Sequence, residues 1–170
     1  MAILALASGS DPGGWHAGGV SAVVYTDGAC QGNPGPGGWA WALSGGDGAS
    51  AARFASGFDP WTTNQRMEVT AVLEALRAVS GPVEVISDST YVVNCFRQRW
   101  WAGWERRGWR NAAGKPVANQ DLWRPLVDEV VRRGDVSFSW VRGHAGDPLN
   151  ELVDGLAVEA ATRQLGRTGP

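Results

Sequence analysis

The sequence has little cysteine and no long hydrophobic run. Its two cysteines, Cys30 and Cys95, lie far apart and match no metal-ligand spacing, which argues against a disulfide framework and against a Cys/His zinc site. No apolar run approaches the length of a membrane span, and the start of the chain lacks the basic region of a signal peptide. We therefore predict a monomeric cytoplasmic protein with free thiols and no membrane partner.

The domain organisation follows from length and composition. A chain of 170 residues with 44% hydrophobic residues suits one globular domain with a sizeable core. Gly, Ser and Pro are frequent near both ends, so we predict a disordered N-terminal extension over 1–19 and a disordered tail over 166–170. The catalytic or binding domain is then expected over 20–165.

The order of the predicted elements indicates the fold class. Three apolar or alternating runs, at roughly 20–29, 37–44 and 49–58, are separated by glycine-rich turns, which is typical of an antiparallel meander. Helical and strand-like segments then alternate as far as a last helix near residue 149. This order predicts an α/β protein whose mixed sheet carries helices on its faces.

One segment departs strongly from the acidic balance of the chain. The net charge is −2, yet the stretch from Arg97 to Lys115 holds six basic residues and one acid, a local charge of +5 that leaves −7 for the remainder. Four tryptophans lie among these bases, and basic groups interleaved with aromatic rings suit a groove that binds nucleic-acid phosphates and sugars. A solvated helix with its tryptophans turned to the core is the alternative.

Glu68 is the first of four acids in unusual positions. On a helical projection, Val72, Leu76 and Val79 cluster around its direction, so Glu68 lies on the apolar side of its helix. An unpaired buried charge costs several kcal/mol. An arginine partner or a protonated carboxyl would explain one such residue taken alone.

The other three acids suggest a shared site. Asp88 ends the strand-like run PVEVIS, Asp27 ends the first strand, and Asp154 lies in the last helix beside small residues. For Asp154 taken alone, the alternative to a shared site is a favourable interaction of its charge with the helix dipole. Converging carboxylates repel each other and need divalent cations, and an all-oxygen set favours Mg²⁺ or Mn²⁺ over zinc.

Five motif blocks then carry a resemblance to a known family. They are YTDGACQGNPGPGGWA, TTNQRMEVTAV, ISDSTYV, RRGWRNAAGKPVANQDLW and VRGHAGDPLNELVDGLA. In order and spacing they resemble type 1 ribonuclease H, across nearly all of 20–161. The resemblance implies a five-stranded mixed sheet, Mg²⁺-dependent two-metal hydrolysis of the RNA strand of RNA–DNA hybrids, and a catalytic quartet of Asp27, Glu68, Asp88 and Asp154.

The same resemblance assigns further residues. His144, in the GHAGDP loop, is similar to the mobile histidine of the family, which implies proton transfer or product release. The glycine-rich loop is expected to let backbone groups approach a nucleic-acid groove. The implied substrate-binding residues are Gly28, Cys30, Asn33, Asn64, Gln65, Trp100, Trp104, Arg106 and Arg107.

Three positions depart from the family pattern. Glu105 stands where a base is expected, Thr90 where relatives often carry a longer amide, and Asp147 where a second histidine is common. We expect weaker or more salt-sensitive binding of the hybrid from the first, and the loss of one contact to the RNA from the second. Two rival functions also remain: a DNA-cutting transposase or integrase with a similar sheet, and a non-catalytic hybrid-binding module, which would not need all four acids.

Overall fold

The computed structural model describes residues 21–170, and the predicted N-terminal extension over 1–19 lies outside the described residues. The chain order of the elements is β1 (Ala22–Cys30), β2 (Gly35–Ser44), β3 (Ala51–Thr62), α1 (Asn64–Ala78), β4 (Val83–Ser87), α2 (Thr90–Arg97), α3 (Trp100–Arg106), α4 (Gln120–Arg133), β5 (Val136–Trp140), α5 (Pro148–Arg163) and β6 (Arg167–Gly169). The predicted α/β class and mixed sheet are confirmed. None of the described helices is long and apolar enough to cross a membrane.

The sheet has six strands in the order β5-β4-β1-β2-β3-β6. β1, β2 and β3 form the predicted antiparallel meander, while β4 and β5 run parallel to β1. The sixth strand corrects the expected count of five strands. It also corrects the predicted disordered tail, because residues 167–169 of that segment pair antiparallel with residues 54–56 of β3. Backbone pairing stabilises this short segment although its composition resembles a loop.

Each face of the sheet has its own hydrophobic core, as the alternation of β1 shows. Val24 packs in the larger core with α1, α2 and α4, whereas the next residue, Tyr25, packs in the smaller core against α5. Successive side chains of a strand point to opposite faces, so β1 is buried on both sides. This central strand is therefore a rigid support for any side chain at its far end.

The helices that flank the sheet begin at side-chain caps. Thr63 caps α1 and Ser89 caps α2, each accepting a backbone N–H three residues ahead, and Asp147 caps α5 with Pro148 in its first turn. These are the residue types that favour helix starts. The caps of α2 and α5 stand at the same edge of the sheet, beside the carboxyl ends of β4 and β5.

Candidate active site

Asp27 lies inside β1, opposite Ala40 of β2, so the expectation that it ends the first strand was wrong. The parallel pairing of β1 with β4 ends one residue earlier, at the pair of Thr26 and Ser87. The Asp27 side chain is therefore held by a paired backbone at the point where the neighbouring strand stops. It is buried, and its Oδ1 accepts a hydrogen bond from the Gly28 N–H at 2.8 Å.

Glu68 reaches Asp27 because α1 lies unusually close to β1. A Cβ atom on Gly28 would stand 2.4 Å from the backbone nitrogen of Glu68, so only glycine permits this approach. Two hydrogen bonds orient the carboxylate: the Ser89 hydroxyl donates to Oε2 at 2.5 Å and the Asn64 side chain donates to Oε1 at 3.1 Å. Gly28 thus has a packing role, and its contact with a substrate stays a prediction.

Asp88 follows β4 directly and precedes the cap of α2. Its backbone carbonyl accepts a hydrogen bond from the Trp140 indole at 3.0 Å, and a Cβ on Gly143 would stand 2.7 Å from its Oδ2. The loop between β5 and α5 therefore packs closely on the Asp88 carboxylate. Glycine at position 143 leaves room for that contact.

The structure brings three of the four predicted acids together. Carboxylate oxygens of Asp27, Glu68 and Asp88 lie within 4.8 Å of one another. Asp154 on α5 stands outside this triad, yet its charge acts on both Asp27 and Asp88, which places it beside them. His144 is exposed on the loop before α5, and its charge acts on Asp88.

Burial and mutual repulsion raise the pKa values of the triad. Burial, followed by the charge of Asp88, raises the pKa of Asp27 to about 8. Burial also raises the pKa of Glu68 to about 7, although the hydrogen bond from Ser89 opposes the shift. Burial raises the pKa of Asp88 as well, although the nearby Asn150 side chain opposes the shift.

The donor set fits divalent metal. Among residues 21–170, no salt bridge involves Asp27, Glu68 or Asp88, so no arginine or lysine neutralises them there. Three converging carboxylates without a cationic partner are an arrangement that a hard divalent cation stabilises. The protonated-acid and arginine-partner explanations for Glu68 are therefore less consistent with the geometry than a metal site.

The polar residues predicted to contact a substrate gather at the start of α1. The Asn33 side chain accepts the Asn64 backbone N–H at 2.9 Å, and Gln65 is exposed next to them. The Cys30 thiol instead donates weakly to backbone carbonyls of Gly35 and Thr62, at 3.5 and 3.4 Å. These contacts join the β1–β2 loop to α1 beside Glu68.

In the basic, tryptophan-rich segment, the tryptophans and the arginines do not form the single binding surface that the sequence suggested. Trp100 and Trp104 pack against the larger core, and Trp104 meets Trp123 edge-on at 5.5 Å between ring centroids. The bases face solvent: Arg106 is exposed, and the exposed Arg107 donates its Nε–H to the Arg110 carbonyl at 3.0 Å. The tryptophans thus support a charged surface, and direct contact of any of these residues with a substrate stays a prediction.

Two supporting residues were missed from the sequence. Ser89 was seen only as a helix start, although its hydroxyl also holds Glu68. Asn150 is 2% exposed and stands one helical turn before Asp154, a spacing that puts both on one face of α5. A buried amide at that spacing from a site acid was the available signal.

Comparison with known proteins decides the family. The model of the family described as RNase H matches residues 20–162. The chain belongs to the ribonuclease H family. The resemblance found in the motif blocks is therefore confirmed, and the match spans both cores and all four acids.

Individual relatives agree. The chain is 52% identical over 139 residues to ribonuclease H of Granulibacter bethesdensis, covering 81% of this chain and 89% of that protein. It is 52% identical over 137 residues to ribonuclease H of Moorella thermoacetica, covering 79% of this chain and 88% of that protein. Among solved structures, LC9-RNase H1, described as a type 1 RNase H with the type 2 active-site motif, superposes with a TM-score of 0.72 at 37% identity, over 85% of this chain and 74% of that one.

Proposed function

We propose that this protein is an endoribonuclease that hydrolyses the RNA strand of RNA–DNA hybrids, using Mg²⁺ ions held by Asp27, Glu68, Asp88 and Asp154. The observation that carries the proposal is the triad of carboxylates within 4.8 Å of one another, with Asp27 buried, Glu68 and Asp88 half-buried, and no cationic partner among the described contacts. Membership of the ribonuclease H family supports the reaction class. A solved structure with the same fold is described as a complex with an RNA/DNA hybrid.

Each acid has a distinct role in this proposal. Asp27 is central, since the charges of the other three all act on it, and it is the ligand that two ions would share. Glu68 and Asp88 would serve one ion and Asp154 the other, with Mn²⁺ as an alternative to Mg²⁺. Divalent ions at such a site lower the pKa of an attacking water and stabilise the leaving oxygen of a phosphodiester.

The protein itself fixes the geometry of these ligands. Ser89 and Asn64 hold the two oxygens of Glu68 in place, and the Gly28 N–H holds Asp27. A carboxylate that hydrogen bonds already orient needs little reorganisation when a metal ion binds, so its affinity for the ion is higher.

His144 is the proposed proton carrier. It is exposed on the β5–α5 loop, near enough to Asp88 for its charge to act on that carboxyl. An exposed imidazole can accept or donate a proton, which suits transfer to a leaving oxygen or assistance in product release.

The proposed substrate surface surrounds the acids. Short polar groups at Cys30, Asn33, Asn64 and Gln65 suit the wide minor groove of a hybrid, where the 2′-hydroxyl distinguishes RNA from DNA. The exposed Arg106 and Arg107 suit phosphate contacts on the other strand. Glu105 is exposed beside them, which lowers the local positive charge and is consistent with the expected salt sensitivity.

A strand-selective cleavage assay tests the function. A hybrid carrying a label on either strand, duplex DNA and duplex RNA are incubated with the protein across Mg²⁺ and Mn²⁺ concentrations. We expect cleavage of the RNA strand of the hybrid alone. Equal cutting of duplex DNA would favour the transposase or integrase alternative, and binding of the hybrid without cleavage in either metal would favour the non-catalytic module.

The finer cellular and assembly properties belong to the same proposal. We expect a monomer that acts in the cytoplasm, as the low cysteine content suggested. Light scattering at the concentrations of the cleavage assay measures the oligomeric state, and a dimer there would contradict this expectation.

A further inference from the structure

Asp147 precedes α5, and both of its carboxylate oxygens accept hydrogen bonds. Oδ1 accepts the backbone N–H groups of Leu149 and Asn150, both at 3.0 Å, and so caps α5. Oδ2 accepts the hydroxyl of Tyr25 at 3.1 Å. One side chain thus joins the first turn of α5 to the central strand of the sheet.

Tyr25 is placed to transmit this contact to the acids. It lies two residues before Asp27 on the same face of β1, and it is 9% exposed. Its hydroxyl donates the hydrogen bond to Asp147, so the side chain bridges the strand and the start of the helix.

The other end of the chain of contacts is Asn150. Its backbone N–H is held by Asp147, and its side chain lies near Asp88 and influences that carboxyl. Among residues 21–170, the buried Oδ1 atom of Asn150 has no hydrogen-bond partner, so the position of the amide depends on the backbone that carries it. A group tied at one end responds to any shift of the backbone that carries it.

We propose that Tyr25 and Asp147 are positioning residues that fix the start of α5, and through it Asn150 and Asp154, relative to Asp27 and Asp88. The linkage spans the two elements that must stay in register, because Asp27 is on β1 and Asp154 is on α5. The proposed hydrolysis needs this register, so the inference rests on the proposed function. Its direct readout is the binding of metal.

Two variants isolate the contact between the strand and the helix. Tyr25→Phe removes only the hydroxyl. Asp147→Ser keeps a good helix cap but is too short to reach Tyr25. The matched control is Tyr91→Phe, which removes a hydroxyl that accepts the Trp123 indole N–H at 2.7 Å in the larger core, whereas α5 packs in the smaller one.

Calorimetric titration with Mn²⁺ and Mg²⁺, without nucleic acid, gives the metal affinity of each folded variant, and circular dichroism checks the fold. Because removing a group that orients metal ligands commonly costs 10–100-fold and this group acts one step further away, we expect Tyr25→Phe and Asp147→Ser each to weaken metal affinity by about fivefold. Their double variant should be no weaker than either, since both remove the same contact. Tyr91→Phe should lose stability but keep wild-type affinity.

The steady-state kinetics of hybrid cleavage add a second readout. We expect a lower kcat with an unchanged KM for Tyr25→Phe, because the hybrid-binding surface is untouched. Wild-type metal affinity in both single variants, or independent losses that multiply in the double variant, would overturn the positioning role. Because the titration needs no substrate, absence of hybrid cleavage by the wild type would count against the proposed function and not against this inference.

Discussion

Replacing Asp27 by asparagine tests the central physical claim, which is that the protein sacrifices stability to hold its acids together. The variant keeps an oxygen for the Gly28 N–H and removes the charge. Turnover should disappear, since the carboxylate proposed to bind metal is lost. The folded protein, in contrast, should become more stable when no divalent cation is present.

The size of the gain follows from the pKa of Asp27. A shift of one unit corresponds to about 1.4 kcal/mol, so the rise of the Asp27 pKa from 3.8 to about 8 sets a ceiling of about 6 kcal/mol. The folded pKa is above the unfolded one, so the cost is absent at low pH and grows as pH rises from about 4 to about 8. Because the three acids share the repulsion and relax together, we expect the variant to gain about 2 kcal/mol near pH 8 and little near pH 4.

Urea unfolding with a chelator present, at both pH values, measures this difference. Asp128→Asn is the control, because Asp128 is an exposed acid on α4 outside the described ion pairs. Saturating Mg²⁺ should stabilise the wild type selectively and narrow the gap. A gain that is the same at both pH values, or no larger than that of Asp128→Asn, would refute the reasoning.

Three further changes have defined outcomes. Gly28→Ala forces a Cβ to within 2.4 Å of the Glu68 backbone, so thermal unfolding should show a loss of about 3 kcal/mol, with hybrid cleavage lost as α1 moves away. His144→Ala should lower kcat about 10²-fold with KM unchanged, measured by steady-state cleavage, because it removes a proton carrier and no binding contact. Arg106→Ala should weaken hybrid binding and reduce the slope of log affinity against log salt by about one, measured by fluorescence anisotropy.

Controls separate these effects from general damage. Gly155→Ala, on α5 with open space around the added methyl, should gain about 1 kcal/mol, which contrasts with the loss at Gly28. A wild-type kcat for His144→Ala would remove the proton-transfer role. An unchanged salt slope for Arg106→Ala would show that the exposed guanidinium does not reach a phosphate.

The sequence was informative about the acids because burial of charge leaves a visible pattern. Glu68 on an apolar helix face and Asp88 at the end of a strand-like run both lie where they were expected. Asp27 was wrongly expected at the end of a strand. A polar residue in an apolar run is visible in the sequence, but the residue at which the backbone pairing stops is not. The closeness of α1 to β1 was also invisible, because Gly28 looked like part of a flexible loop.

The basic segment and the tail show two other limits of sequence patterns. Interleaved arginines and tryptophans suggested one binding surface, yet the rings of Trp100 and Trp104 turn to the core while Arg106 faces solvent. The helix α3 has only seven residues, which is too short for its hydrophobic period to show which side chains face the core and which face solvent. The strand over Arg167–Gly169 depends on its partner β3 for its structure, and no local pattern predicts a partner.

That last strand has a consequence for how the protein behaves at high concentration. Residues 167–169 cover part of the outer margin of β3, where otherwise a row of free amide and carbonyl groups would await another chain. The Phe54 ring packs against the backbone of Gly169, so β6 is held on β3 by side-chain packing as well as by backbone hydrogen bonds. Removing these few residues would expose residues 54–56 of β3 as a template for intermolecular pairing, and solubility would decrease before catalysis did.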